Sequence, residues 1–204
     1  MANATAVPAR LENGAVMLRE EFHRLYADCE GLERVELIEG VVYMPSPVRI
    51  PEHQRPVKLA YQWLMAYEAR HAGEVEAMDG GTVLLDETNE PIPDLMLYRL
   101  RPDRFEDGYL NGAPELAFEV AASSHSRDLH QKKRAYERNG VIEYIVWRPI
   151  DGILHWFQLR DGAYVQREPD ADGIIASEAF PGLRLDVPAM LAHDRAKVLA
   201  ALGT

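Results

Sequence analysis

The chain has 204 residues, 47% of them apolar and 27% charged, with a formal net charge of −11, a composition that folds rather than staying disordered. The acidic balance argues against broad electrostatic attraction to nucleic acid, though not against local basic patches or a metal that offsets acidic side chains. Cys29 is the only cysteine, which excludes a disulfide framework and a cysteine zinc site, and no run approaches the roughly 18 apolar residues of a membrane span.

Residues 1–15 read as a loosely ordered tail, without the basic and apolar regions of a signal peptide, so a cytoplasmic setting is the default expectation. Residues 16–204 read as a single domain. Leu18, Phe22, Leu25 and Tyr26 recur at helical spacing and predict a helix over 17–28. Residues 35–38 and 41–44 flank Glu39-Gly40 as a hairpin. Val57, Leu59, Ala60, Trp63, Leu64 and Tyr67 predict a long helix over about 52–71, stopped by Gly73. Strands are expected over 74–78 and 82–85, with Asp79-Gly80-Gly81 as the turn between them, and then around Asp94. Residues 99–113 read as a surface loop. A strand around Glu119 leads into a helix over about 127–139, with Ser126 as its N-cap and Gly140 as its stop. Strands over 143–147, 153–159 and 163–166 are separated by Asp151-Gly152 and Asp161-Gly162, and 187–201 reads as a helix. This order predicts an α+β fold built on a mixed sheet.

Two acidic residues stand in apolar strands: Asp94 in Pro93-Asp94-Leu95-Met96 and Glu119 in Phe118-Glu119-Val120. An ionised carboxylate in such a setting is costly unless a cation or donor meets it. On neighbouring strands the two would converge on one hard divalent ion. The alternative stays open that Asp94 caps a strand end and Glu119 pairs with a core arginine. The following helix carries Asp128, Lys132 and Tyr136 at i, i+4 and i+8, which aims Lys132 at a metal site or leaves it in a surface ion pair with Asp128. Glu36 is a third candidate acid or a solvated strand residue. His53 is a candidate phosphate contact or an exposed residue at a helix start, and His125 lies nearby in sequence. Arg127, Lys132, Lys133, Arg134 and Arg138 make one helix basic in an acidic chain, which suits a phosphate backbone as well as a solvated face. The seven histidines include no pair at zincin spacing, and no glycine-rich phosphate loop or nucleophile elbow is present.

Taken in order, these pieces resemble the Uma-type restriction-endonuclease family of the PD-(D/E)XK nuclease superfamily. Its E-L-I-[DE]-G hairpin is similar to Glu36-Leu37-Ile38-Glu39-Gly40, and its M-x-P-x-P and H-Q pieces to Met44 through Pro47 and His53-Gln54. Its P-D strand resembles Pro93-Asp94, its E-V-L-S-P-S-T segment resembles residues 119–125, and its D-x3-K-x3-Y helix with G-V-x-E-Y resembles Asp128, Lys132, Tyr136, Gly140-Val141 and Glu143-Tyr144. The likeness runs over about residues 17–165. It implies a restriction-endonuclease-like core, a central mixed β-sheet flanked by helices, and Mg2+-dependent hydrolysis of DNA phosphodiester bonds, with Mn2+ able to substitute. It further implies Asp94, Glu119 and the Val120 carbonyl as metal ligands, with Glu36 as an additional acid. Lys132 stands in for the superfamily lysine whose usual position is Ala121. His53, Tyr136 and Lys133 are the expected substrate contacts. A homodimer and no organic cofactor are expected. The chain departs from the family at Ala122-Ser123 and at Arg148. Two other readings stay open: a catalytically inactive binding module on the same fold, and a metal-dependent hydrolase of another phosphoester.

Overall fold

The computed structural model describes residues 11–202, apart from 30, 32, 46, 48, 123 and 124. Residues 1–10 of the expected tail, the Ser46, Ser123 and Ser124 motif positions and the His125 side chain lie outside the described residues. Residues 11–15 run along the first hairpin, with Leu11 buried and the Gly14 N–H donating to the Val42 carbonyl at 2.8 Å.

Chain order gives α1 (Arg19–Ala27), β1 (Glu36–Ile38), β2 (Val41–Tyr43), α2 (Arg55–Glu68), β3 (Val75–Asp79), β4 (Val83–Leu84), β5 (Leu95–Arg99), β6 (Phe105–Glu106), β7 (Tyr109–Asn111) and β8 (Leu116–Val120). After these come α3 (His125–Arg127), α4 (Lys133–Arg138), β9 (Glu143–Arg148), β10 (Ile153–Arg160), β11 (Ala163–Arg167), β12 (Ile174–Ala176), β13 (Arg184–Asp186), α5 (Val187–Leu191) and α6 (Arg195–Ala200). Two stretches wind as π-helix, Ile50–Gln54 leading into α2 and Asp128–Lys132 joining α3 to α4. Such widened turns often mark functional sites.

Six strands form the central sheet in the order β11-β10-β9-β8-β5-β3. Only β8 and β9 pair in parallel, across the helical crossover; the other neighbours are antiparallel. The sheet is therefore mixed, as the sequence predicts. β8 is apolar on both faces. Leu116, Phe118 and Val120 join a large cluster with Trp63 and Leu64 of α2, while Ala117 and Ala121 join a second cluster with Tyr136 of α4. Helices thus cover both faces, which is what a continuous apolar strand requires.

Local turn chemistry explains the hairpins. Glu39 and Gly40 both adopt positive φ (52° and 76°), as do Asp161 and Gly162 (49° and 82°), the pattern of a tight primed turn. Other expectations change. Asp79-Gly80-Gly81 does not close a hairpin: β3 pairs with β5 in the main sheet, whereas β4 pairs with β7 in a small three-stranded sheet. Its other two strands, β6 and β7, come from the stretch predicted as a loop, because Asp107-Gly108 supplies another turn with both φ positive. Ser126 lies inside α3 and not at its N-cap position. The predicted helix over 187–201 is two helices, broken where His193 takes φ 56° and Asp194 starts α6 by accepting from the Lys197 N–H at 3.2 Å. The short pair β12–β13 carries no strong alternation in sequence.

Candidate active site

Asp94 immediately precedes β5 and Glu119 stands next to last in β8. Leu95 pairs with Phe118 in the antiparallel register, so one step further sets Asp94 opposite Glu119. Their backbones and side chains interlock. The Val120 N–H donates to Asp94 Oδ2 at 2.8 Å, and the Asp94 N–H donates to Glu119 Oε2 at 3.4 Å. Asp94 thus finishes the strand end, as one sequence reading has it, and lies against Glu119.

The third acid comes from the first hairpin. Glu36 in β1 is only 7% exposed, not solvated, and its Oε1 accepts from the Ile92 N–H at 2.9 Å. Lys132, at the end of the π-helical segment, is 2% exposed. Its Nζ lies 2.6 Å from Glu36 Oε1 and 2.9 Å from Glu119 Oε1. Asp128 and Lys132 are both buried, so the sequence reading of a surface ion pair gives way to a buried setting for both. The core arginine expected as an alternative partner of Glu119 is replaced by this lysine. Tyr136, one turn further on, donates to Glu119 Oε1 at 3.1 Å. His53 joins from the other π-helical segment, with Nε2 3.1 Å from Asp94 Oδ2, and Arg34 Nη2 approaches Asp94 Oδ1 at 3.5 Å.

The electrostatics divide the two catalytic candidates. Burial alone would raise the Asp94 carboxyl, but the His53 contact, the Lys132 charge and the Val120 N–H outweigh it and hold Asp94 below the usual carboxylate range. Burial pushes the Glu119 carboxyl well above that range; Lys132 opposes this, while Asp94, Asp128 and Glu36 reinforce it. Burial would lower the Lys132 ammonium, yet Glu119 and Glu36 outweigh it and keep Lys132 charged.

Asp94, Glu119, Glu36, Lys132 and His53 line a cavity of about 810 Å³, whose walls also carry Arg34, Arg49, Lys58 and Arg127 beside Glu52, Asp79 and Asp128. The donor chemistry suits a hard divalent ion. Such ions take oxygen ligands, keep several waters and are commonly held by one or two carboxylates. Asp94 Oδ1 and Glu119 Oε2 are the least engaged oxygens, with protein partners no nearer than 3.5 and 3.4 Å. The Val120 carbonyl accepts from the Ala122 N–H at 3.1 Å and retains a second lone pair. Among the described residues no three His, Cys, Asp or Glu side chains form a cage. An ion here would have two carboxylates and the Val120 carbonyl as its nearest protein oxygens, with water completing its shell.

The family model described as "Putative restriction endonuclease" (Uma2) matches residues 19–188. The chain belongs to the Uma2 family. The match extends past the sequence likeness, through β13 and into α5. A solved structure from Anabaena variabilis ATCC 29413, described as a "putative nuclease belonging to DUF820", is similar in fold. Its TM-score is 0.64 at 15% identity, over 86% of this chain and 98% of that chain. No curated protein matches. Uma2 membership and the shared restriction-endonuclease-like fold support reading the cavity as a nuclease site.

Within this Uma2 site, Asp94, Glu119, Lys132, Glu36 and His53 come together as the sequence predicts. Two expected substrate contacts do not. Tyr136 is fully buried and absent from the cavity wall, so it positions Glu119 and does not reach a ligand. Lys133 also stays out of the wall; its Nζ sits 4.1 Å from the Phe157 ring centroid, where cation–π attraction holds it. Sequence reasoning missed Arg34, Arg49 and Lys58. Arg34 takes a left-handed φ of 58° just before β1, which no sequence pattern foretells, and the other two carry no motif. Among the described residues no helix is long and apolar enough to cross a membrane.

Proposed function

We propose that this Uma2 protein is a Mg2+-dependent endonuclease that hydrolyses phosphodiester bonds in DNA, with Mn2+ able to substitute. The observation that carries the reading is the buried Glu36–Lys132–Glu119 arrangement beside Asp94, opening into a cavity walled by Arg34, Arg49, Lys58 and Arg127. Arg34, Arg127 and Lys132 already pair with Asp94, Glu36 and Glu119, so Arg49 and Lys58, without an ion-pair partner among the described residues, are the wall cations left for an anionic substrate.

Asp94 and Glu119 would hold the ion, which when bound supplies Lewis acidity toward the phosphate and offsets the charge that builds on it. His53 and the Val120 N–H fix Asp94 Oδ2, which leaves Oδ1 for this role. Hydrolysis joins a water oxygen to phosphorus and releases one ester oxygen. Lys132 is charged, so it acts as a donor and not as a base. Two of its N–H groups meet Glu36 and Glu119; the third, without a protein partner among the described residues, orients the attacking water or meets a phosphoryl oxygen. Tyr136 anchors Glu119 from below.

The test is cleavage of supercoiled plasmid with Mg2+ or Mn2+ by wild type, Asp94→Ala, Glu119→Ala and Lys132→Ala. Each substitution is expected to lower the rate by about 10²–10³-fold. Equal activity in all four proteins rejects the assignment.

One observation favours a second reading, a binding module that keeps the fold without cutting. Every carboxylate oxygen of Asp94 and Glu119 already has a neighbour within 3.5 Å, and no three-residue cage is present among the described residues. Calorimetric titration with Mn2+ separates the two. Binding that vanishes in Asp94→Ala supports the nuclease, and no binding in the wild type supports the module.

A further inference from the structure

A second cavity, of about 390 Å³, opens beside the catalytic one and is lined by Pro51, Arg55, Lys58, Leu59, Gln62, His193 and Arg195. Lys58 lines both cavities, so they are contiguous through one side chain. Arg55, Lys58, Leu59 and Gln62 stand at i, i+3, i+4 and i+7 of α2 and therefore share one face. Arg195 and His193 come from the break between α5 and α6, and α6 packs on α2.

Three cations gather here without a counter-charge. The side chains of Arg55, Lys58 and Arg195 have no ion-pair or hydrogen-bond partner among the described residues, and all three are exposed. The nearest acid in sequence, Asp194, is already engaged: it accepts from the Lys197 N–H at 3.2 Å and lies 3.5 Å from Lys197 Nζ. His193 holds the left-handed conformation that a non-glycine residue adopts at a cost, and its ring packs 5.1 Å from the Trp147 ring. That contact fixes the imidazole at the edge of the cavity. Arginine and lysine clusters with free donors are what a phosphate oxygen meets.

We propose that Arg55, Lys58 and Arg195, with His193 beside them, form a second phosphate site that grips a backbone phosphate of the nucleic-acid substrate away from the scissile one. The inference rests on the nuclease reading above and deepens it. It assigns substrate register to the α2 face and the α5–α6 junction, and it makes the site blind to base sequence, because phosphates carry none.

The test is fluorescence anisotropy with a labelled DNA duplex in EDTA, where nothing is cut, over a series of salt concentrations. Arg55→Gln/Arg195→Gln is compared with wild type and with Arg24→Gln/Arg184→Gln, which removes equal charge from exposed residues lining neither cavity. The first double variant is expected to reduce the slope of log Kd against log salt by about 1.8, which is 0.9 for each lost contact, and to weaken unrelated sequences alike. The single variant Arg195→Gln should give about half that change. Matching slopes for both double variants and the wild type overturn the site while leaving the nuclease reading intact. A wild type that binds no duplex in EDTA overturns the second site, and plasmid cleavage with Mg2+ judges the nuclease reading separately. Binding that depends on a terminal 5′-phosphate overturns the backbone assignment, since equal affinity with and without that group is expected.

Discussion

Lys132→Met isolates the electrostatic core of the site, because methionine keeps an unbranched stem and removes the ammonium. In the wild type that ammonium lies 2.6 Å from Glu36 and 2.9 Å from Glu119, and all three side chains are nearly closed to water. Removing one partner of a buried pair costs about 3–5 kcal/mol. Here two carboxylates lose their common cation, so the upper part of that range applies wherever both stay ionised. Glu119 escapes by protonating. Burial already raises its carboxyl, and Lys132 is the strongest influence holding it down. A carboxyl raised in the folded state gives stability that is fully present below its unfolded pKa and is lost as pH rises through its folded value. In the variant that folded value moves higher still. The destabilisation relative to wild type should therefore be small in acid and grow as pH rises from the wild-type value to the variant value, by up to about 1.4 kcal/mol per pH unit for one proton. Urea unfolding of wild type, Lys132→Met, Glu119→Gln and the double variant across pH measures this. The double variant should be less destabilised than the sum of the singles by about 0.5–3 kcal/mol. A deficit that does not change with pH, together with additive singles, refutes the buried triad.

Three further outcomes follow from the same geometry. Tyr136→Phe removes a 3.1 Å hydrogen bond to Glu119 from a fully buried position without changing volume, and should cost about 0.5–1.5 kcal/mol in urea unfolding; a neutral substitution would show that the hydroxyl does not hold Glu119. Mn2+ binding should release a proton and tighten as pH rises through the elevated Glu119 value, because the ion needs the ionised carboxylate. Calorimetry in buffers of different ionisation enthalpy detects the proton, and observed heats that do not vary with the buffer would contradict the prediction. Trp63→Ala empties the centre of the α2–sheet interface, where the indole donates to the Arg184 carbonyl at 2.9 Å and meets Trp156 edge-on at 6.2 Å. It should cost about 3–5 kcal/mol, and thermal or urea unfolding giving less than about 1.5 kcal/mol would mean that the interface recloses around the gap.

The elements legible in the sequence are those whose physics is local. The β10–β11 hairpin was readable because Asp161-Gly162 meets a positive-φ requirement between two apolar runs, and α2 because its apolar residues recur at helical spacing. Elements set by distant partners were not. β3 and β4 flank a good turn, yet their hydrogen bonds go to β5 and β7, a choice that only the whole sheet makes. The same division runs through the site. Asp94 and Glu119 announced themselves as charges in apolar strands, and Lys132 through its helix. Arg34, Arg49 and Lys58 reach the cavity from separate segments, and nothing in their local sequence distinguishes them from solvated surface cations.

The lysine shows how far the packing decides the chemistry. Glu119 lies in β8 between Ala117 and Ala121 on the face covered by α4, and both alanines pack among Tyr136, Val141, Tyr144 and Val146. Ala121 is 3% exposed, so a lysine stem at that position would need the space these rings fill. The small pair instead lets the crossover helix approach the strand, close enough for the Tyr136 hydroxyl and the Lys132 ammonium to meet the same Glu119 oxygen. The widened π-helical turn over Asp128–Lys132 delivers that ammonium to Glu36 as well, which a lysine on the β8 strand would have to reach across from its own sheet. The absence of lysine at 121 is therefore coupled to its presence at 132. Two alanines, one π-helical turn and Glu36 together place a charged donor beside a buried carboxylate.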